Sequence, residues 1–293
     1  MSAQQTPRAT VSRQVDVNGI HTHYLESGAP DQDRTLTLLV HGWPTSSYLW
    51  RNILPKLGTG HWTIALDLPG YGQSDKPRDI RFNHDFWTQY LEGFLAAVGA
   101  RGVNLVVHDL GGPIGLIWAA RHPDKLRHLV LLNTLVYSKL NWSAKLFVLM
   151  TFLPGISRWM TRPSTLRRIL GLGTRKKLSQ DVKTHYANTY HDPAARHCLL
   201  TSVRHLDPKA NLEVERVLPT LTVPVTCIYG ANDYVLPDIS KTMARVARDL
   251  PQATVTALPD CGHFLQEDEP DKLGDLILKA LNQHTPGNPA AEA

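Results

Sequence analysis

Six short runs of β-branched or apolar residues recur along this chain, at positions 35–40, 62–67, 103–108, 126–133, 223–229 and 254–258. Runs of that length, apolar nearly throughout, are what strands buried on both faces require. Stretches 47–57, 83–98, 113–122 and 238–250 lie between them and are long enough for helices. A strand that returns parallel to its neighbour needs such a crossover. The pattern therefore predicts an α/β fold built on a mostly parallel, doubly wound sheet. Ahead of it, residues 11–17 and 20–26 flank Asn18-Gly19, a strong two-residue hairpin signal, so an antiparallel edge is expected.

One interval breaks the rhythm. Between Asn133 and Val223 lie about 90 residues, many times the usual connection, so the segment must carry structure of its own. Helical patches at 142–152, 164–170 and 179–190, with Pro154-Gly155 and residues 171–173 as breakers, predict a helical cap over the carboxyl ends of the strands. The expected organisation is a core at 1–134, the cap at 135–216, a second part of the core at 217–285 and a frayed tail at 286–293.

Charge follows the same division. The 293-residue chain carries 31 Lys and Arg against 26 Asp and Glu, a net of +5. Residues 139–216 alone hold 14 basic and 5 acidic residues, so the cap is +9 and the remainder −4. No aromatic interleaving or nucleic-acid motif accompanies this charge, and no nucleic-acid partner is expected. The cluster Arg175-Lys176-Lys177, with Arg167 and Arg168, reads as a solvated face. Cys198, Cys227 and Cys261 are too scattered for a disulfide framework or thiolate metal site and read as reduced, packed thiols. His21 and His23 share a strand face without a third ligand, so no metal is expected. The first ten residues lack a secretory pattern and the longest apolar run, near 146–154, is too short to span a bilayer. That run is assigned to a cap helix lining an apolar pocket, and the chain is expected in the cytoplasm with no membrane partner.

Ligands of open α/β sheets bind beyond the carboxyl ends of the strands, so the residues following each strand carry the chemistry. After 103–107 comes His108-Asp109-Leu110-Gly111-Gly112 and then a helix, the strand–turn–helix of a nucleophile elbow with Asp109 where Ser usually stands. After 35–40 comes His41-Gly42-Trp43-Pro44, the type of loop that lends a backbone N–H to an oxyanion hole; the Leu110 N–H would be the second donor. Asp233 follows 223–229 and His263 follows 254–258. The chain order is then nucleophile Asp109, acid Asp233, base His263. His41 and His108 flank these turns and are expected to orient them.

These turns, together with His41-Gly-Trp-Pro-Thr-Ser-Ser-Tyr-Leu-Trp-Arg-Asn and Leu68-Pro-Gly-Tyr-Gly-Gln-Ser-Asp-Lys-Pro, resemble the α/β-hydrolase superfamily over nearly the whole chain. Within it they resemble the branch with an aspartate nucleophile, most of all the haloalkane dehalogenases, with epoxide hydrolases next. The resemblance implies that Asp109 attacks a carbon bearing a leaving group, that His263 activates water on the resulting ester, and that Asp233 orients His263. It implies a small, mostly apolar substrate, water as co-substrate and no cofactor. The residue chemistry agrees: a carboxylate is ionised at neutral pH and needs no base to make it a nucleophile. Some dehalogenases place a Glu acid after the sixth strand; Asn133 stands there, which leaves the role to Asp233.

The pattern is departed from where it matters for the leaving group. Dehalogenases usually hold the halide between two side-chain N–H donors, one on a Trp directly after the nucleophile. Here that residue is Leu110. The second donor follows the His-Gly pair and would be the Trp43 indole. Epoxide hydrolases instead need cap tyrosines, for which Tyr137, Tyr186 and Tyr190 are the candidates. The stretch His185-Tyr-Ala-Asn-Thr-Tyr190, followed by Pro193-Ala-Ala-Arg196, resembles the dehalogenase cap and places that reading ahead of the epoxide hydrolase. A pocket kept only to bind a ligand is the third reading.

Overall fold

A computed structural model describes residues 9–283. The expected tail at 286–293 lies outside the described residues, as do residues 1–8, 284 and 285. Eight strands form one sheet: β1 (Val11–Val17), β2 (Ile20–Ser27), β3 (Thr35–Val40), β4 (Trp62–Leu66), β5 (Gly102–Asp109), β6 (Leu126–Thr134), β7 (Val225–Gly230) and β8 (Ala253–Leu258), in the order β1-β2-β4-β3-β5-β6-β7-β8. The β1–β2 and β2–β4 pairs are antiparallel and the other five are parallel. Asn18 and Gly19 both take positive φ, the geometry a two-residue hairpin needs.

Side chains alternate across this sheet and build two cores. Leu36, Leu38 and Val40 of β3, Val103, Leu105 and Val107 of β5, and Leu129 and Leu131 of β6 face one core. Leu39, Val106, Val130 and Leu132, with Ile228, face the other. Helices α1 (Leu54–Leu57), α2 (His84–Val98) and α3 (Gly111–Arg121) follow β3, β4 and β5. Trp87 and Leu91 of α2 and Ile117 and Trp118 of α3 fill the first core. Asn83 caps α2 by accepting from the Phe86 N–H, and Gly99, at φ 73°, ends it in the left-handed region. The helix expected over 47–57 is broken: a 3-10 turn at Ser47–Trp50 precedes α1, because Pro55 has no N–H to continue a helix begun earlier and instead opens a new one.

Between β6 and β7 the chain forms α4 (Trp142–Phe152), α5 (Pro154–Met160), α6 (Pro163–Gly173), α7 (Gln180–Asn188), α8 (Pro193–Arg204) and α9 (Asn211–Val217). Of the two expected breakers, the first separates α4, which ends at Phe152, from α5, whereas the second does not interrupt a helix. Pro154 starts α5, since its missing N–H is one the first turn leaves unbonded anyway, and residues 171–173 lie within α6. Pro193 likewise opens α8, with the Asp192 side chain accepting from the Ala194 N–H. After β7 and β8 come α10 (Ile239–Asp249), α11 (Leu265–Asp268) and α12 (Pro270–Asn282). The leading face of α12, Leu273, Ile277 and Leu281, closes the second core together with Leu54 and Leu57 of α1. All three cysteines are buried and free.

Candidate active site

The end of β5 turns sharply. Asp109 sits at φ 50°, a conformation that lifts its carboxylate away from the strand, and Thr134 Oγ1 at the end of β6 donates to the Asp109 carbonyl at 2.6 Å. Such a turn leaves no room for side chains beside it. A methyl group on Gly42 would overlap the Asp109 carboxylate, and one on Gly112 would overlap Thr134 Oγ1. The Trp43 N–H donates to Asp109 Oδ2 at 2.7 Å, and the Leu110 N–H also bonds this carboxylate. The two backbone donors expected of an oxyanion hole therefore converge on one carboxylate.

His41 holds the first of those donors in place. Its Nε2 accepts from the Leu68 N–H at 3.1 Å, so Nδ1 carries the proton and donates to the Gly42 carbonyl at 3.0 Å. Burial keeps this imidazole neutral. The loop is also tied to Asp67, which no motif marked: its carboxylate accepts from the Ser47 N–H at 2.6 Å and the Gln73 N–H at 2.8 Å and lies 2.7 Å from His23 Nδ1.

His263 bridges two carboxylates. Its Nδ1 donates to Asp233 Oδ2 at 2.8 Å, while Nε2 is 3.6 Å from Asp109 Oδ1. Burial alone would push this imidazole down. The Asp233 charge, the Asp109 carboxylate close by and the bond to Asp233 overcome it and raise His263 to about 10. Burial would likewise raise the two carboxyls, yet the nearby His263 holds Asp109 below the ordinary carboxylate range, and the His263 charge with further bonds takes Asp233 to about 2. The resting site is thus carboxylate, imidazolium, carboxylate. Asp233 Oδ1 is fixed by the Val235 and Leu236 N–H groups, and Oδ2 also accepts from Asn133 Nδ2 at 2.6 Å. The sequence marks Asn133 only as a position without a carboxylate; it is the group that locks the acid, with Oδ1 accepting from the Gly230 N–H.

His108 Nε2–H donates to the His263 carbonyl at 2.9 Å, and burial, then the nearby His263 charge, push His108 down to about 4. Asp268, also unmarked by any motif, straps the His263 loop to the cap: its carboxylate accepts from the Gly262 N–H at 2.8 Å and from the Arg175 and Lys176 N–H groups at 2.7 Å. Hydrogen bonds across such sequence separations leave no local pattern to read.

Above Asp109 lies a cavity of about 370 Å³ lined by Asp109, His263, Trp43, Leu110 and a mostly apolar wall that includes Pro113, Leu135, Phe147, Val148, Met160 and Ile169. Its few polar members include His84, whose Nε2 has no partner, and Asn211, whose Oδ1 has none. Among the described residues no group of three His, Cys, Asp or Glu could hold a metal ion.

Four expectations for the cavity are corrected. The Trp43 indole N–H donates to the Leu199 carbonyl of α8 at 3.2 Å, so it is bonded to the cap and not offered to a halide. None of the three tyrosines lines the cavity. Tyr137 donates to Asp249 at 2.8 Å beneath the Arg245 guanidinium, and Tyr186 donates to Glu267 at 2.5 Å within the Arg51–Glu267 pair. Tyr190 donates to the Pro44 carbonyl at 3.0 Å. Each hydroxyl is satisfied by packing between cap and core, which is where an amphipathic ring buries best.

Two outcomes follow. Trp43→Phe should destabilise the fold by about 1–3 kcal/mol, because the buried Leu199 carbonyl loses its donor, while leaving turnover within a few-fold of the parent. Urea unfolding beside steady-state rates checks both. Asp109→Asn removes one of two negative neighbours of His263, which destabilises the imidazolium, so its titration should move down from about 10. Imidazole nitrogen shifts followed by NMR read this directly, and an unmoved midpoint would deny the charge coupling.

Comparison with known proteins agrees with this geometry. The sequence pattern of the alpha/beta hydrolase fold family matches residues 36–270. The chain is similar to a haloalkane dehalogenase of Psychrobacter cryohalolentis, 27% identical with 90% of this chain and 88% of that protein covered. It is also similar to a cis-3-alkyl-4-alkyloxetan-2-one decarboxylase of Shewanella oneidensis, 28% identical with 87% and 83% covered. Among solved structures, haloalkane dehalogenase DbeA from Bradyrhizobium elkani superposes with a TM-score of 0.82 at 26% identity, covering 94% of this chain and 98% of that one. With an aspartate at the elbow, an acid and a histidine after the last two strands and helices inserted above them, the chain belongs to the α/β-hydrolase fold family, and within it is similar to haloalkane dehalogenases.

Proposed function

We propose that the protein hydrolyses small, apolar halogenated alkanes through a covalent ester on Asp109. The observation that carries this reading is the asymmetric hold on the Asp109 carboxylate at the floor of an apolar cavity: Oδ2 accepts from the Trp43 N–H, while Oδ1 takes no backbone bond and lies 3.6 Å from His263 Nε2. Oδ1 attacks the carbon bearing the halogen, the carbon–halogen bond breaks, and the halide leaves with the electron pair. Oδ2 becomes the ester carbonyl, already seated where an oxyanion would be stabilised. Esterification followed by departure of the halide removes one of the negative charges that raise His263, so the imidazolium releases a proton to solvent and becomes a base when one is needed. Water then adds to the ester carbon, passing a proton to His263. Collapse expels the alcohol, which takes that proton, and the second proton of the water, left on the Asp109 carboxyl, passes to His263, so that carboxylate and imidazolium are both restored. The net products are alcohol, halide and one proton.

The leaving group shapes the expected specificity. A charge-assisted N–H bond to a departing anion contributes about 1.5–3 kcal/mol, roughly 10- to 150-fold in rate. Neither Leu110 nor the Trp43 indole supplies one here. Bromoalkanes and iodoalkanes, whose anions need less help, should therefore outpace chloroalkanes by more than about tenfold. The same observation favours a second reading, opening of a strained oxygen ring such as an epoxide or the oxetanone of the Shewanella relative. There the leaving oxygen stays tethered, and His84 Nε2 is an unpartnered nitrogen on the cavity wall.

Halide release from matched bromo- and chloroalkanes, set beside diol or alkene formation from ring substrates, decides between them; ring turnover without halide release would replace the first reading by the second. In either case His263→Phe should stop at the ester. After incubation with a turned-over substrate, mass spectrometry should find the alkyl group on the peptide containing Asp109. No adduct with any substrate that the parent consumes would remove Asp109 as nucleophile.

A further inference from the structure

We propose that the outer face of α4 and α5 is a docking surface for an anionic lipid membrane. An ordinary surface helix is apolar on one side only, but α4 carries apolar side chains on its inner and its outer side, with Lys145 its one charge. One side is accounted for, since Ala144, Phe147, Val148 and Met150 line the cavity. The other is open. Trp142 is 70% exposed, Leu149 56% and Phe152 55%, and Leu146, Leu153 and Ile156 are exposed with them. The assignment of residues 146–153 to the pocket wall therefore holds for only part of the run. Trp159 of α5 continues the patch, and the Ser143 hydroxyl, bonded to the Val235 carbonyl at 2.9 Å, places the exposed Val235 beside the start of α4. A contiguous apolar surface of this kind marks an interaction site.

Charge complementarity selects the occupant. Residues 139–180 contain nine Lys and Arg and no Asp or Glu. Lys145, Arg158, Arg162 and Arg168, all exposed, stand on or next to the apolar helices. A second copy presenting the same face would bring like charges together, whereas a membrane with anionic headgroups attracts them. Apolar side chains, tryptophan and basic residues on short helices are also what seats a protein in the headgroup region without crossing it. Among the described residues no helix is long and apolar enough to span a bilayer. Trp159 and Val235 line the cavity and are exposed on this patch, so the cavity opens toward the surface that would meet lipid. Docking does not depend on which reaction the cavity hosts.

The test is flotation of the full chain with vesicles of phosphatidylcholine alone or with 40% phosphatidylglycerol, a composition chosen at about that level to raise surface charge well above neutral. Strong binding to the anionic vesicles and weak binding to the neutral ones is expected. Lys145→Gln/Arg158→Gln/Arg168→Gln should weaken it about 100-fold at low salt, at about fivefold per charge. Trp142→Ser/Leu149→Gln/Ile156→Gln, which touches no cavity residue, should weaken it more than tenfold and reduce quenching of tryptophan fluorescence by brominated acyl chains. Circular dichroism and soluble-substrate turnover of both variants confirm that they fold. Absence of flotation with anionic vesicles, or equal flotation of the folded apolar variant, would overturn the proposal. So would a dimer in sedimentation that the apolar variant abolishes, since a second copy would then cover the patch.

Discussion

Everything in this molecule that concerns chemistry is arranged around a buried imidazolium held between two carboxylates. Removing three charges from water is costly, and the arrangement is tolerable only because each is compensated by another at short range and by fixed N–H groups. Asp233 takes two backbone N–H bonds and one from Asn133 besides His263. Asp109 takes those of Trp43 and Leu110. The loops that provide these donors must then be rigid. They are pinned by further buried polar groups, Asp67 and His41 under the first loop and Asp268 under the last. The positive φ at Asp109, a conformation that disfavours side chains other than glycine, asparagine and aspartate, is held in place by the same neighbours.

How much of this could be read in the sequence follows from how far each interaction reaches along the chain. The sheet was legible because each strand is its own signal, and β3 matches its expected bounds residue for residue. The site was legible as four turns because an open parallel sheet places strand ends together whatever the loops do. What fails to show is where a side chain points once it meets a distant partner. Trp43 and Leu199 are 156 residues apart, and nothing near Trp43 announces that its indole bonds to a cap carbonyl. Tyr186 reads as a pocket residue until the Arg51–Glu267 pair is placed beneath it. Asn133 reads as an absence because its value lies in two bonds to residues about 100 positions away. Helix α9 escaped because a seven-residue helix carries little periodic signal, and Pro193-Ala-Ala-Arg196 reads in the sequence only as a resemblance, not as the proline-opened start of α8.

The cap performs two tasks with one set of helices. Its inner face makes the cavity apolar, which lowers the local dielectric and strengthens the electrostatic interactions there. Its outer face is basic and apolar where the core surface is slightly acidic, since the nine cationic residues of 139–180 have no acidic neighbour in sequence. That asymmetry explains a pI near 9 without nucleic acid: the charge belongs to the cap, not to the protein as a whole.

The proposed reaction also explains how a site with no side-chain cradle for a halide could still release one. Before attack the site holds two negative charges and one positive, a net of −1. As the carbon–halogen bond breaks, Asp109 becomes neutral and the halide takes its charge, so the net is still −1. The step moves a charge instead of creating one, and the imidazolium of His263 lies beside its starting position. A neutral histidine would offer no such balance, which gives the raised His263 pKa a role in the first step opposite to its role in the second. The order of events is then imposed by electrostatics. While the halide remains, His263 keeps a negative neighbour in addition to Asp233 and stays charged; once the halide departs, only Asp233 remains, the proton leaves, and water can be activated. Halide exit would precede ester hydrolysis because the base does not exist until the anion is gone.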